Sequence, residues 1–143
     1  MTYRPYTADD HQFVLSGWSA SLRMTRDVQL IGMDDWATLM HPVIKRIIAR
    51  SECIVAEGSV LQGFIAFQQP DYVLYCYVAQ PFRGRGIARG LFRAADIDPS
   101  SRFRYACRTK ASWECRGKIS NAIYDPFHIR FSQRTGHERD HER

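Results

Sequence analysis

The chain has 143 residues, 45% of them hydrophobic, the size of one ordinary domain with enough apolar content for a sizeable core. No run of about 18 uninterrupted apolar residues is present, and the opening Met1-Thr2-Tyr3-Arg4-Pro5 lacks the apolar stretch of a secretory leader; this argues against membrane and export and predicts a cytoplasmic protein. The net charge of +5 sits in the middle, because residues 83–118 carry ten Lys/Arg against three Asp/Glu while residues 1–82 carry six against eight.

Tyr3 to Tyr6 can form a first strand, and Thr7-Ala8-Asp9-Asp10 then supplies capping residues for a helix carrying Phe13, Val14, Trp18 and Leu22 at helical spacing. Arg23 to Gly32 is mixed and reads as a loop or a short broken helix. From Asp34 or Asp35 a second helix is expected. Trp36, Leu39, Met40, Val43, Ile44, Ile47 and Ile48 form its apolar face, and Lys45, Arg46 and Arg50 lie opposite. Pro42 predicts a kink, or two abutting helices, because proline disfavours helical geometry in the residue before it. Cys53 to Glu57 and Val60 to Gln68 read as a hairpin about Gly58-Ser59, and Gln69-Pro70-Asp71 turns the chain into a third antiparallel strand, Tyr72 to Val78.

A helix should then start near Gly86 or Ile87 and stop by Asp98-Pro99, followed by a strand from Phe103 to Cys107. Trp113 to Tyr124 is weakly helical in pattern, and Phe127 to Phe131 alternates as a last short strand. Residues 132–143 are polar and read as a flexible tail, which leaves 1–131 as one domain. The fold class is α+β. Cys53, Cys76, Cys107 and Cys115 contain no CxxC pair and read as reduced, packed thiols. The histidines and cysteines show no metal-ligand spacing, so no metal is implied.

Between the third meander strand and the next helix lies Arg83-Gly84-Arg85-Gly86-Ile87-Ala88-Arg89. Glycines here let an anion approach the backbone, and the first N–H groups of the following helix point at it. Seventeen of the twenty basic residues are arginine, whose planar fork suits phosphate and carboxylate. Gly84, Gly86 and Gly90 are one residue too widely spaced for the dinucleotide fingerprint, and the preceding strand does not start a βαβ unit. Gly117-Lys118 lacks the upstream glycine of a triphosphate loop.

The order of elements, with Arg83-Gly84-Arg85-Gly86-Ile87-Ala88 matching Gln/Arg-x-x-Gly-x-Gly/Ala directly after the fourth strand, resembles the GCN5-related N-acetyltransferase (GNAT) family over residues 3–131. The resemblance implies a central mixed, mostly antiparallel sheet flanked by helices and truncated at its C-terminal end. It also implies that the Arg83 to Ala88 backbone cradles the pyrophosphate of an acyl-CoA such as acetyl-CoA, with Arg89 adding charge nearby. The edge of Cys76-Tyr77-Val78 would pair with the pantetheine arm, and an N–H of Tyr77 or Val78 would polarise the thioester carbonyl. The compact form also resembles acetyltransferase-like proteins of bacteriophages, which implies a phage origin and a host protein as target.

Family members commonly take the proton for the leaving thiolate from a tyrosine on the fourth helix, a place that Tyr124 fills in Tyr124-Asp125-Pro126-Phe127. Tyr124 reads equally as a buried aromatic anchor. The fourth strand holds no carboxylate, so Glu57 and Asp71 are the nearest acidic candidates for a base, with His41 and His128 behind them. Cys76 and Cys115 could accept an acyl group, but no activating base stands beside either in sequence, and a packed thiol is the better reading. Trp18, Trp36 and Trp113 read as core more readily than as an acceptor cleft. The expected activity is acyl transfer from acetyl-CoA directly to the amine of a small molecule or a protein. The alternatives are a non-catalytic interaction protein on the same fold and, third, a nucleic-acid-binding protein using the basic segment.

Overall fold

In a computed structural model of the chain, residues 1–22, 30–107, 121–126 and 128–129 are described. The expected tail at 132–143, Trp113 and Cys115 lie outside them. Six strands form one sheet in sequential order: β1 (Thr2–Pro5), β2 (Glu52–Glu57), β3 (Leu61–Gln68), β4 (Tyr72–Val78), β5 (Phe103–Tyr105) and β6 (Ala122–Tyr124). The first four pair antiparallel, whereas β4 with β5 and β5 with β6 pair parallel. Three α-helices are described: α1 (His11–Leu22), α2 (Met33–Ala49) and α3 (Ile87–Ala94). Among the described residues no helix is long and apolar enough to cross a membrane.

Strand alternation sends side chains to two cores. On one face Val55, Phe64, Ala66, Tyr72, Leu74 and Tyr75 meet Val14, Leu15 and Trp18 of α1 and Trp36, Ile44 and Ile48 of α2. On the other, Ala56, Ile65, Phe67 and Val73 meet Ile87, Leu91 and Phe92 of α3. Trp18 and Trp36 are therefore core residues, as their spacing indicated. Trp18 lies nearly parallel to Tyr75, with ring centroids 4.7 Å apart.

The start of α1 is set by the expected capping residues. The Thr7 N–H donates to Asp10 Oδ2 at 2.8 Å, and the Asp10 N–H returns to the Thr7 carbonyl at 3.0 Å, two orphan donors satisfied locally. Asp10 is also gripped by Arg4, Nη1 to Oδ2 at 2.8 Å and Nη2 to Oδ1 at 2.9 Å. These bonds, Arg4 first, hold the Asp10 carboxyl below the usual carboxylate range despite its burial. Its stabilising effect is therefore complete above about pH 4 and is lost as pH falls through the depressed value. Asp10→Asn is expected to cost about 2 kcal/mol at pH 7. In urea unfolding at descending pH, the gap between the two proteins should narrow only below about pH 4.

Four sequence expectations change. First, α2 is one continuous helix with Pro42 inside it, so there are not two abutting helices; Trp36, Ile44 and Ile48, buried together, hold it across the hydrogen bond that proline cannot make. Second, its apolar face is narrower than the spacing suggested, because Leu39 and Val43 are exposed, 62% and 43%. Third, Ala122–Tyr124 is a strand and not the end of a weak helix. Its residues find a partner in β5, and pairing outweighs weak helical propensity. Fourth, His128 and Ile129, expected within a final strand over 127–131, are not in one.

Candidate functional site

The meander ends in a strand with an irregular edge. Ala66 pairs with Tyr75 and Phe67 with Val73, so Leu74 is an extra residue in β4. Such a bulge breaks the alternation, and Leu74 and Tyr75 consequently face the same core. Beyond the bulge the Ala79 N–H donates to the Gln62 carbonyl of β3 at 2.8 Å. By the two-residue repeat, the backbone of Tyr77 turns to β3 and the backbones of Cys76 and Val78 turn away from it. Of the two amides expected at the thioester, Val78 points to the open side and Tyr77 does not.

That open side faces β5, which holds β4 only at Tyr72 and Val73. The Arg104 N–H donates to the Asp71 carbonyl at 2.8 Å and the Ala106 N–H to the Val73 carbonyl at 3.0 Å. Past Val73 the parallel pairing stops, and among the described residues no strand continues it along Leu74 to Val78. The result is a notch between two strands, with Cys76, Val78, Phe82 and Tyr105 half-buried at the margin of the second core.

The Arg/Gly loop forms the mouth of this notch. Arg83 Nε donates to the Val78 carbonyl at 2.8 Å, while the Arg83 N–H is used by the Gln80 carbonyl at 3.3 Å. Gly84 and Gly86 take φ of +78° and +79°, a left-handed conformation that glycine adopts without strain. Gly86 is the N-cap of α3. Between them, Gly84, Arg85, Gly86, Ile87, Ala88 and Arg89 present six consecutive backbone N–H groups, and none meets an acceptor among the described residues. A Cβ built on Gly84 or Gly86 meets nothing within 4 Å among the described residues. The run is offset by one residue from the expected Arg83 to Ala88.

The arginine side chains around the loop are exposed. Arg85 sits with Cζ 5.9 Å from the Phe82 ring centroid, and among the described residues no carboxylate pairs with Arg83, Arg85 or Arg89. The helix behind them is held close to the sheet at Gly90, where any Cβ would collide with the ring and hydroxyl of Tyr3 on β1. A helix-weakening glycine is kept there because only hydrogen fits.

The structure does not gather the remaining candidates at the notch. Glu57 accepts from Arg4 Nε at 2.8 Å, and that bond is the main reason its carboxyl lies below the usual range; it is two strands from Val78, across Ala56 and Gly63. Asp71 uses its carbonyl to start β5. His41 Nε2 lies 3.1 Å from Ser19 Oγ, joining α2 to α1. His128 Nδ1 lies 3.6 Å from the Asp125 carboxylate, beside the Tyr72 ring. Tyr124 pairs with Tyr105, their ring centroids 5.5 Å apart, so Tyr105 stands between Tyr124 and the notch. Tyr105 was not singled out from the sequence, although its position two residues after Phe103 in a predicted strand was the available signal. Among the described residues no cluster of His, Cys, Asp and Glu could hold a metal ion.

Cys76 borders the notch, but burial pushes its thiol up to about 12. Iodoacetamide at about pH 7.5 should leave Cys76 of the folded protein unmodified in peptide mass spectra, while labelling it in urea. Rapid native labelling would reinstate it as a nucleophile.

No protein-family model and no curated protein sequence matches the chain. Solved structures do match. A GCN5-related N-acetyltransferase from Rhodopseudomonas palustris superposes with a TM-score of 0.60 at 17% identity, covering 82% of this chain and 79% of that one. A possible acetyltransferase from Clostridium difficile 630 gives 0.51 at 13% identity over 94% and 97%. The apo form of YjaB from Escherichia coli gives 0.50 at 18% identity over 66% and 63%. With the sheet, the bulged fourth strand and the loop-to-helix junction described above, these likenesses establish that the chain has the fold of the GCN5-related N-acetyltransferases.

Proposed function

We propose that the protein is an acyl-CoA-dependent N-acyltransferase, with acetyl-CoA as donor and an amine as acceptor. The observation that carries this is the run of six backbone N–H groups from Gly84 to Arg89 that meet no acceptor among the described residues, at the mouth of a strand edge that has no partner among them past Val73. A diphosphate is recognised by converging donors at a positive helix end. An extended amide-containing arm is recognised by a strand edge that lacks a partner. One ligand with both parts, a diphosphate joined to an amide chain ending in a thioester, fits the two features together.

Bound acetyl-CoA supplies the activated acyl group. The loop N–H groups would hold its diphosphate, with the Arg85 and Arg89 side chains adding charge. The Val78 and Cys76 backbones carry the arm into the notch. Along that edge the Cys76 and Val78 N–H groups are the donors that would face the thioester oxygen as negative charge develops there. Transfer would form the C–N bond and break the C–S bond; the attacking amine would give up one proton to solvent and the departing thiolate would take one up. Tyr105, nearest the closed end of the notch, is the phenol placed to give it, and Tyr124 stands beside it. Glu57 is a poor base in this arrangement because its ion pair favours the charged form without any approach to the notch.

Calorimetric titration with acetyl-CoA tests the cofactor half of the reading; absence of heat would remove it. Release of free thiol on adding amines and peptides tests turnover, and binding without release from any acceptor would leave a GNAT-fold interaction protein.

A further inference from the structure

α2 covers the sheet with only part of its surface. Four of the seven large hydrophobic residues exposed among the described residues, Leu30, Ile31, Leu39 and Val43, lie in α2 or just before it, which sets this region apart from singly scattered exposure. On α2 itself Asp35, Leu39, Val43 and Arg46 follow one another at intervals of four, four and three residues, so they share one face. All four are exposed, as is Pro42 among them. Trp36, Ile44 and Ile48 are the residues that α2 buries in the first core. The exposed face is thus an apolar centre with a carboxylate at one end and a guanidinium at the other.

This pattern is complementary to its own reverse. The midpoint of Leu39 and Val43 falls at residue 41 and that of Asp35 and Arg46 half a residue earlier, a difference of about 0.8 Å along the axis. A second α2 laid antiparallel across the first, on a two-fold axis at that level, sets Leu39 against Val43 twice and Asp35 against Arg46 twice. A parallel copy would instead oppose Asp35 to Asp35 and Arg46 to Arg46. The exposed Arg46 has several N–H donors, so it can meet the second copy while keeping a contact within its own chain.

We propose that this face of α2 is a symmetric dimerisation surface whose partner is a second copy of the chain, packed antiparallel at the level of His41. The surface is separate from the notch and stands whether or not the chain transfers an acyl group. α2 packs in the first core and α3 in the second, on opposite faces of the sheet, so dimerisation leaves the Arg/Gly loop of each copy uncovered. The competing explanation for the charges is local, since Asp35 in the first turn and Arg46 in the last favour the helix dipole within one chain.

Sedimentation velocity of the full chain over a concentration series, at low ionic strength where exposed pairs are least screened, separates the two. The native chain should pass from monomer to dimer mass as concentration rises. Asp35→Arg and Arg46→Asp should each raise the dimer dissociation constant at least about tenfold, because each turns two attractions into two repulsions. The double variant Asp35→Arg/Arg46→Asp regains self-complementarity and should recover the dimer, and an equimolar mixture of the two single variants should form a heterodimer. Leu39→Glu should stay monomeric with an unchanged circular dichroism spectrum. A purely dipolar role gives a different order: the double variant would have the lowest thermal midpoint, and no variant would change the mass. A dimer indifferent to the single reversals, or a double variant that stays monomeric, would overturn the proposal. A native chain that is monomeric at every concentration would overturn it as well and leave the face to a foreign partner.

Discussion

Gly86→Asp is expected to weaken acetyl-CoA binding at least ~100-fold in a calorimetric titration, about 2.7 kcal/mol. Two costs add at one position. Gly86 sits at φ +79° as the N-cap of α3, and a residue with a Cβ pays about 1 kcal/mol or more there. The carboxylate is then carried beside the loop donors, where it competes for the N–H groups and repels a diphosphate. Because a Cβ meets nothing within 4 Å, the fold itself should survive, with an unchanged circular dichroism spectrum. Gly86→Ala separates the two causes: it carries the backbone strain without the charge and should lose only a minor part of the affinity. Undiminished binding by Gly86→Asp would show that the diphosphate lies elsewhere.

Trp18→Ala should be the most destabilising single change in the first core, about 3–5 kcal/mol in urea unfolding. Trp18 is 2% exposed, is nearly parallel to Tyr75 at 4.7 Å and lies 6.2 Å from the Phe64 ring. Its loss removes a large buried surface and also the partner of Tyr75. That second effect reaches the site, because Tyr75 and Leu74 face the same core only through the bulge that re-phases β4. Loosening Tyr75 frees the bulge to slip, and a one-residue slip exchanges the backbones facing the notch. Acetyl-CoA affinity should therefore fall in Trp18→Ala even at temperatures where it remains folded. Unchanged affinity in the folded variant would separate the bulge from the site.

The unequal legibility of the elements has a physical basis. The meander, α1 and the start of α3 were readable because each is specified within a few residues: alternation about a glycine turn, Thr7 and Asp10 at a helix start, and glycines at positive φ before Ile87. The apolar face of α2 was readable in kind but too wide, because spacing identifies a stripe and only packing decides which of its flanks is covered. Ala122–Tyr124 was misassigned because three residues carry no period of their own, and its state depends on β5, seventeen or more positions earlier.

The site divides along the same line. The sequence alone determined the composition of the Arg/Gly loop: glycines that let an anion approach the backbone, arginines in excess of acid, and a helix start whose first donors point outward. These are local properties of a short segment. Only the tertiary structure decided that Cys76 and Val78, not Tyr77, turn their backbones to the open edge. It alone also set Tyr105 between Tyr124 and the notch, and tied Glu57 to Arg4. Those outcomes depend on an extra residue in β4 and on where a parallel partner stops pairing, long-range choices that no spacing within the loop can encode.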